Sequence, residues 1–163
     1  MVGRLDTFLR SHADCFERRL AVGHVTGSAW VVDRSLRTVL LTHHRKLGKW
    51  LQLGGHADGD PDIRSVALRE AVEESGLAGI VLAQHAIYDV DVHKIPARSG
   101  EPAHLHYDVR FAFFADALRV PRASAESHEV AWVPLEKVEH LSIDDSVRRL
   151  VAKTGALATR VDP

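Results

Sequence analysis

The stretch GGHADGDPDIRSVALREAVEESGL, residues 54–77, joins a loop rich in glycine and aspartate to a segment with helical character. Loop glycines allow a backbone to approach a ligand closely. The residue types predict a helix from about Ile63 to Ser75, and Gly76 predicts its C-terminal cap. On such a helix, three carboxylates fall within about one quadrant of the surface: Glu70, Glu73 and Glu74.

This concentration of negative charge is unfavourable unless something compensates it. Like charges three or four residues apart on a helix cost roughly 0.2–0.5 kcal/mol per pair, and the macrodipole disfavours anions near the C-terminal end. Arg69 can neutralise only part of the charge. A hard divalent cation such as Mg²⁺ binds carboxylate oxygens and keeps waters for a substrate phosphate. The helix alone therefore leaves two interpretations open, a solvated acidic face and a metal site.

The composition is that of one globular domain spanning residues 1–163, with 45% hydrophobic and 26% charged residues. A net charge of −1 gives no electrostatic reason to expect nucleic acid or an anionic membrane as a partner. Cys15 is the only cysteine, which excludes an internal disulfide and favours a reducing compartment. No apolar run approaches membrane-spanning length, and charges interrupt the N-terminal stretch, so we expect a cytoplasmic location.

Helical and strand patterns alternate along the rest of the chain. Apolar residues at helical spacing predict an amphipathic helix over roughly the first twenty residues: Leu5, Phe8, Leu9, Phe16 and Leu20. SAWVVD and TVLLTHH predict a strand pair, whereas GKWLQLGGHADGDPD is expected to be largely loop. QHAIYDVDVHKI and HLHYDVRFAFF predict a hairpin, EVAWVPL a last strand, and SIDDSVRRLVAK a closing helix capped by Ser142 or Asp144. The mixture predicts a layered α/β domain.

Residues 55–77 also resemble the signature of the Nudix hydrolases, G-x(5)-E-x(7)-R-E-U-x-E-E-x-G-U, in which U is aliphatic. Eight positions match in register: Gly55, Arg69, Glu70, Ala71, Glu73, Glu74, Gly76 and Leu77. WVV, VLLTHH, KWLQLGG and EVAWVPL extend the resemblance to a MutT-like Nudix protein over nearly the whole chain. The resemblance implies an α/β/α sandwich with a mixed central sheet, and it leaves the substrate subfamily unassigned.

One position departs from this signature. Pro61 stands where the first glutamate is expected, and proline cannot bind a cation. Asp60 precedes it and offers a carboxylate nearby, either as a substitute ligand or as a residue that shapes the loop. Leu53 stands where proline is common in the family.

The resemblance implies hydrolysis by water of a pyrophosphate bond in a nucleoside diphosphate linked to another group, with Mg²⁺, or alternatively Mn²⁺, as cofactor. It also implies three metal ligands, of which Glu73 is in addition a catalytic candidate: Glu70, Glu73 and Glu74. Arg69 is expected to orient a glutamate during catalysis.

Two further groups of site residues are expected. The family often has another glutamate, base or extra ligand, before the last strand; Glu126 is favoured here over Glu129, which begins that strand. Gly54 and Gly55 are the candidates for close backbone contact with the substrate.

The predicted hairpin carries a polar patch that the signature does not explain. Complementary charge favours a register with Asp91 opposite Arg110 and His93 opposite Asp108 over one with Asp89 opposite Arg110 and Asp91 opposite Asp108. We expect the patch to line the substrate cleft and to bind the group beyond the pyrophosphate through four residues: His93, His106, Asp108 and Arg110. The alternative is a hairpin that protrudes into solvent.

Two other functions fit the residues less well. A non-catalytic Nudix module that binds a nucleotide would not need a self-repelling set of glutamates. An isoprenoid diphosphate isomerase of the same superfamily uses a catalytic cysteine, and Cys15 lies far from the signature in sequence. The expected partner is therefore a small nucleotide substrate, without nucleic acid or membrane, and the sequence leaves open a homodimer.

Overall fold

The computed structural model describes residues 1–98, 100, 102–125 and 127–157. These residues form three α-helices: α1 (Val2–Ser11), α2 (Ile63–Ser75) and α3 (Asp145–Thr154). They also form eight strands: β1 (Gly23–Val32), β2 (Thr38–His44), β3 (Lys49–Leu51), β4 (Leu53–His56), β5 (Val81–Leu82), β6 (Asp89–Ile95), β7 (His104–Phe114) and β8 (Ser127–Pro134). Two short 3₁₀ helices, Leu135–His140 and Gly155–Leu157, flank α3.

All eight strands belong to one mixed sheet with β1 near its centre. One edge of β1 pairs in parallel with β7 along the whole length of β1. Two other strands share the opposite edge. The middle of β1, residues 26–29, pairs with β4, and its end, at Val31 and Val32, pairs with β2, both antiparallel. On the outer sides, β2 pairs with β3 and β8, and β7 pairs with β5 and β6.

Alternation along β1 separates two hydrophobic cores. Val25, Ala29 and Val31 face α1 and α2, where they join a cluster with Phe8 and Val66. On the opposite face, the sheet packs against α3 through a second cluster: Trp30, Val32, Phe114, Val147 and Leu150. Helices therefore cover both faces, and the predicted α/β/α sandwich with a mixed sheet is confirmed.

Locally encoded elements agree closely with the sequence prediction. The bounds of α2 are those predicted; Asp62 caps its start by accepting the N–H of Ser65, and Gly76 ends it with a φ of 65°. Asp144 caps α3 by accepting the N–H of Val147, which decides between the two predicted caps. The predicted hairpin is the antiparallel pair β6–β7.

Two element boundaries were predicted wrongly. The first helix ends at Ser11 and not near residue 20, because His12 is extended and the chain then makes successive tight turns into the core at Cys15. The stretch expected to be loop contains β3 and β4. Strands β1 and β2 supply the hydrogen-bonding partners for these short segments, so tertiary pairing overrides their weak local preference.

The favoured register of the hairpin was also wrong. Asp89 lies opposite Arg110 and Asp91 opposite Asp108. The like-charged pair is tolerated because Arg149 of α3 donates to Asp91, a compensation that cross-strand pairing alone does not reveal. Nor does the hairpin protrude bare into solvent, since α1 covers its apolar face with Phe8 stacked on Tyr107 at a centroid distance of 3.8 Å.

Candidate active site

The glutamates of α2 lie against the glycines of β4. Gly55 faces α2, and a Cβ atom at this position would collide with the carboxylate of Glu70. The carboxylate of Glu74, a largely buried residue, accepts the N–H of Gly54 at 2.9 Å. Glu73 is exposed on the same helix. A larger residue at position 55 would thus displace the Glu70 carboxylate, and one at position 54 would collide with Ser28 and the backbone of Gly27.

Arg69 links the carboxylates to the end of β4. Its Nη2 donates to Glu70 Oε1 and to the carbonyl oxygen of His56, each at 3.2 Å. Burial raises the pKa of Glu70, Arg69 opposes that rise, and the charges of Glu73 and Asp58 add to it. Glu70 therefore lies among like charges that one arginine offsets only partly.

A divalent cation would relieve this repulsion, and carboxylate oxygens are the ligands that Mg²⁺ prefers. The residues present therefore fit such an ion by their chemistry. The glutamates are not preassembled: in the described part of the chain, the one set of three or more ligand atoms within 4.8 Å of one another consists of histidines. Glu70 and Glu74 are instead engaged with Arg69 and with Gly54.

The loop before α2 places Asp60 beside this site. Asp60 Oδ1 accepts the N–H of Asp62 at 2.9 Å, and its Oδ2 lies 4.0 Å from Arg69 Nη1. These contacts favour the loop-shaping role. Glu126 lies outside the described residues, and Glu129 is exposed on β8 opposite His43.

On the opposite face of the sheet, Arg110 lies at the centre of a buried ion network. Only 1% of its surface is exposed. Its Nε donates to Asp108 at 2.7 Å, Nη1 to Asp89 at 3.5 Å and Nη2 to Ser146 Oγ at 3.1 Å. Asp108 also accepts hydrogen bonds from three other side chains: Thr26, Ser28 and Gln52. Other side chains of the protein therefore hold Arg110 and Asp108 in place. We call the sheet face on which they lie, the one packed against α3, the polar face.

Two cations from α3 complete the network. Arg149 donates to both Asp89 and Asp91 at 2.8 Å, and Lys153 donates to Asp89 at 2.5 Å. Burial would raise the pKa of Asp89, but the hydrogen bonds and charges of Arg149 and Lys153 hold it below its usual value. A hydrogen bond from His93 is the largest cause of the lowered pKa of Asp91. Sequence reasoning missed both cations, although their spacing of four residues places them on one helix face.

Next to the network, four strands bring five histidines together: His24, His56, His93, His104 and His106. His24 is 1% exposed, and neither of its ring nitrogens has a hydrogen-bond partner among the described residues. Burial, followed by the neighbouring imidazoles, lowers the pKa of His24 to about 4 and that of His106 to about 2.

Sequence reasoning missed the place of His24 in this cluster. Its strand had been predicted only from Ser28 onward. The alternating polar residues His24, Thr26 and Ser28 were the available signal that one face of β1 is polar.

Comparison with known proteins assigns most of the chain to one family. The model of the NUDIX domain matches residues 23–153. A search of curated proteins gave no match. The fold and the glutamate-bearing helix define a hydrolase of the Nudix type. The chain belongs to the Nudix family, whose enzyme class is that of the Nudix pyrophosphohydrolases.

Solved structures show the same fold at low sequence identity. A Nudix hydrolase from M. smegmatis, RenU, is 16% identical, with 86% of this chain and 89% of that chain covered and a TM-score of 0.62. A C. elegans Ap4A hydrolase is 15% identical, with 83% and 97% covered and a TM-score of 0.58. The NUDIX domain of Shewanella oneidensis NrtR, solved with ADP ribose, is 17% identical, with 81% and 86% covered and a TM-score of 0.56. None of the helices in the described residues has the length and apolar character to cross a membrane.

Proposed function

We propose that the chain hydrolyses a pyrophosphate bond in a nucleoside diphosphate linked to another group, with Mg²⁺ as cofactor. The observation that carries the proposal is the position of β4. Gly55 faces the glutamates of α2, whereas His56 faces the polar side of the sheet. A substrate that crosses β4 would bring its pyrophosphate to the glutamates and the group beyond it to the polar face.

The three glutamates of α2 and Arg69 would have different roles in the reaction. Glu70, Glu73 and Glu74 would hold the cation, which when bound neutralises phosphate charge and lowers the pKa of water. Arg69 would hold Glu70 in place through the contacts described above. The carboxylate of Glu73, exposed and without a bond to β4 in the structure, is the candidate to accept a proton from the attacking water.

Glycines and the polar face would supply substrate contacts. Gly54 and Gly55 let phosphate oxygens approach the backbone at the edge of β4. His93 and His106 are partly exposed and lie near the outer end of the polar face, where they can meet the distal group. Asp108 and Arg110, on the buried side of the polar face, would help to position these histidines.

A substrate panel tests the proposal. Purified protein with Mg²⁺ should hydrolyse at least one of five classes: nucleoside triphosphates, dinucleoside polyphosphates, nucleotide sugars, ADP-ribose and NADH. The product mixture then identifies the bond cleaved. Calorimetric titration with the same compounds identifies a non-catalytic module, which would bind a nucleotide but release no product from any class.

The position of Cys15 does not support isomerase chemistry. Cys15 is 3% exposed and belongs to the core beneath α1 and α2. Burial raises the pKa of its thiol, whereas a reactive cysteine needs exposure and a lowered pKa.

A further inference from the structure

Three of the clustered histidines form a preassembled set of nitrogen ligands. His24 of β1, His56 of β4 and His106 of β7 each present one ring nitrogen within 4.8 Å of the others. Their ring centroids lie 4.7–5.3 Å apart. The three residues come from strands that are adjacent in the sheet, so the backbone itself fixes their spacing.

His24 shows that this arrangement is incomplete. A buried polar group without a partner costs roughly 1–3 kcal/mol, and proteins rarely retain one without a reason. His24 is 1% exposed, and both of its ring nitrogens lack partners among the described residues. One of those nitrogens lies within 4.8 Å of a ring nitrogen of each of the other two histidines. A ligand in the space between the three rings would satisfy it.

Hydrogen bonding fixes the tautomer of His106. The carbonyl of Pro102 lies 2.9 Å from His104 Nδ1 and can only accept, so this nitrogen donates, and the neutral form of His104 has its lone pair on Nε2. His106 Nε2, at 3.2 Å, then donates to that lone pair. His106 is left with its lone pair on Nδ1. A chain from a backbone carbonyl through one histidine to another is the kind of support that orients metal-binding imidazoles.

The chemistry of the rings favours a metal over a phosphate group. The set of ligand atoms that lie within 4.8 Å of one another consists of imidazole nitrogens alone. A neutral imidazole offers a metal one ring-nitrogen lone pair. Imidazole nitrogen suits Zn²⁺ and similar transition metals, whereas Mg²⁺ prefers oxygen.

We propose that His24, His56 and His106 bind one Zn²⁺ ion, at a site separate from the glutamates of α2. Zn–N bonds of about 2.0–2.1 Å require ligand nitrogens no more than about 4.2 Å apart. Small rotations of His56 and His106, which are both partly exposed, close the remaining gap. Three histidines leave a fourth position for water or another ligand, and His104 acts as the orienting partner of His106.

Metal titration without substrate tests this site independently of any hydrolytic activity. The metal-free protein, titrated with Zn²⁺ in a large excess of Mg²⁺, should bind one Zn²⁺ per chain and should melt at a higher temperature when loaded. Titration with Co²⁺ should give the visible absorption bands of a nitrogen-ligated, four-coordinate ion. No Zn²⁺ binding at micromolar concentration, or binding that excess Mg²⁺ abolishes, would refute the site.

Substitutions locate the ion. His56→Ala and His106→Ala should each weaken Zn²⁺ binding by at least ~100-fold, and His104→Ala should weaken it by about 10- to 100-fold because it removes only the orienting partner. Circular dichroism establishes that each variant is folded. His85→Ala, at an exposed histidine outside the cluster, and Glu73→Gln should both bind Zn²⁺ like the wild type. If Glu73→Gln loses the ion while the histidine variants keep it, the metal binds at α2 and the proposal is wrong.

Discussion

The carboxylates of α2 and those of the β6–β7 hairpin differ in how their charge is balanced. Glu70 pairs with Arg69, yet burial, together with the charges of Glu73 and Asp58, raises the pKa of Glu70. Three aspartates of the hairpin are instead matched by three cations: Arg110, Arg149 and Lys153. Carboxylates that are already neutralised hold the fold together, whereas carboxylates that remain under-compensated are available to an external cation.

Substitution of the helix carboxylates should give the largest effect. Glu73→Gln and Glu74→Gln should lower turnover by at least ~100-fold because they remove cation ligands or the base. Both variants should remain folded, since each change relieves repulsion and the amide introduced by Glu74→Gln keeps an oxygen for the Gly54 N–H. Steady-state kinetics on the best panel substrate, with thermal melts, measures both quantities.

Glu136→Gln, in the 3₁₀ helix before α3, provides the matched control and should have wild-type kinetics. Full activity of both α2 variants would remove the glutamates from the proposed mechanism.

Gly55→Ala should disturb the same carboxylates without changing any charge. The added Cβ would collide with the Glu70 carboxylate, and a misplacement of about 1 Å can cost ~100-fold in rate. Turnover should therefore fall steeply, with a higher Mg²⁺ requirement. Gly3→Ala is the control, because its Cβ would meet open space. Equal kinetics of the two variants would show that the position of Glu70 is unimportant.

In the ion network of the hairpin aspartates, removal of one cation should lower the stability of the fold. Arg149→Leu leaves Asp89 and Asp91 with less compensation, and we expect a loss of about 2 kcal/mol in the free energy of unfolding. Arg148→Leu removes the neighbouring arginine, whose ion pair within the described residues is with the exposed Asp145, and should cost less than about 1 kcal/mol. Urea unfolding of the two variants makes the comparison; equal losses would contradict a structural role for the network.

Acid should weaken the same network. The pKa values of Asp89 and Asp91 are lower in the folded protein than the ordinary value of 3.8. Their contribution to stability is therefore complete above that value and is lost as the pH falls below it towards the folded pKa values. Urea midpoints measured across this range should fall more steeply for the wild type than for Arg149→Leu. Parallel curves would show that Arg149 does not set these pKa values.

Asp60→Asn should give the smallest effect. The amide keeps an oxygen for the Asp62 N–H, and the long contact with Arg69 is exposed. We expect at most about a fivefold change in Mg²⁺ requirement, the range of an exposed ion pair. Pro61→Glu, which restores the signature residue, should be neutral or mildly favourable. A much larger loss in Asp60→Asn would identify Asp60 as a metal ligand.

Sequence predicted what is encoded locally. The helix residues and Gly76 lie within fourteen positions, so the C-terminal cap, the spacing and the carboxylate face could all be inferred from the chain. The full extent of the polar face could not be inferred in this way, because tertiary packing brings together residues as far apart in the chain as His24 of β1 and Lys153 of α3. The hairpin register failed for the same reason: Arg149, far along the chain, makes the Asp91–Asp108 pairing acceptable.

The parallel pairing of β1 with β7 has a consequence for how the chain folds. Thr26 and Asp108, opposite each other in this pairing, are 82 positions apart. Closing so long a loop costs conformational entropy before the contacts repay it, which slows folding. During synthesis, β1 emerges well before its parallel partner. Before β7 is made, the end of β1 can pair with β2 and its middle with β4, only about thirty residues away, so the glycine strand that borders the glutamates can hold β1 while its parallel partner is still missing.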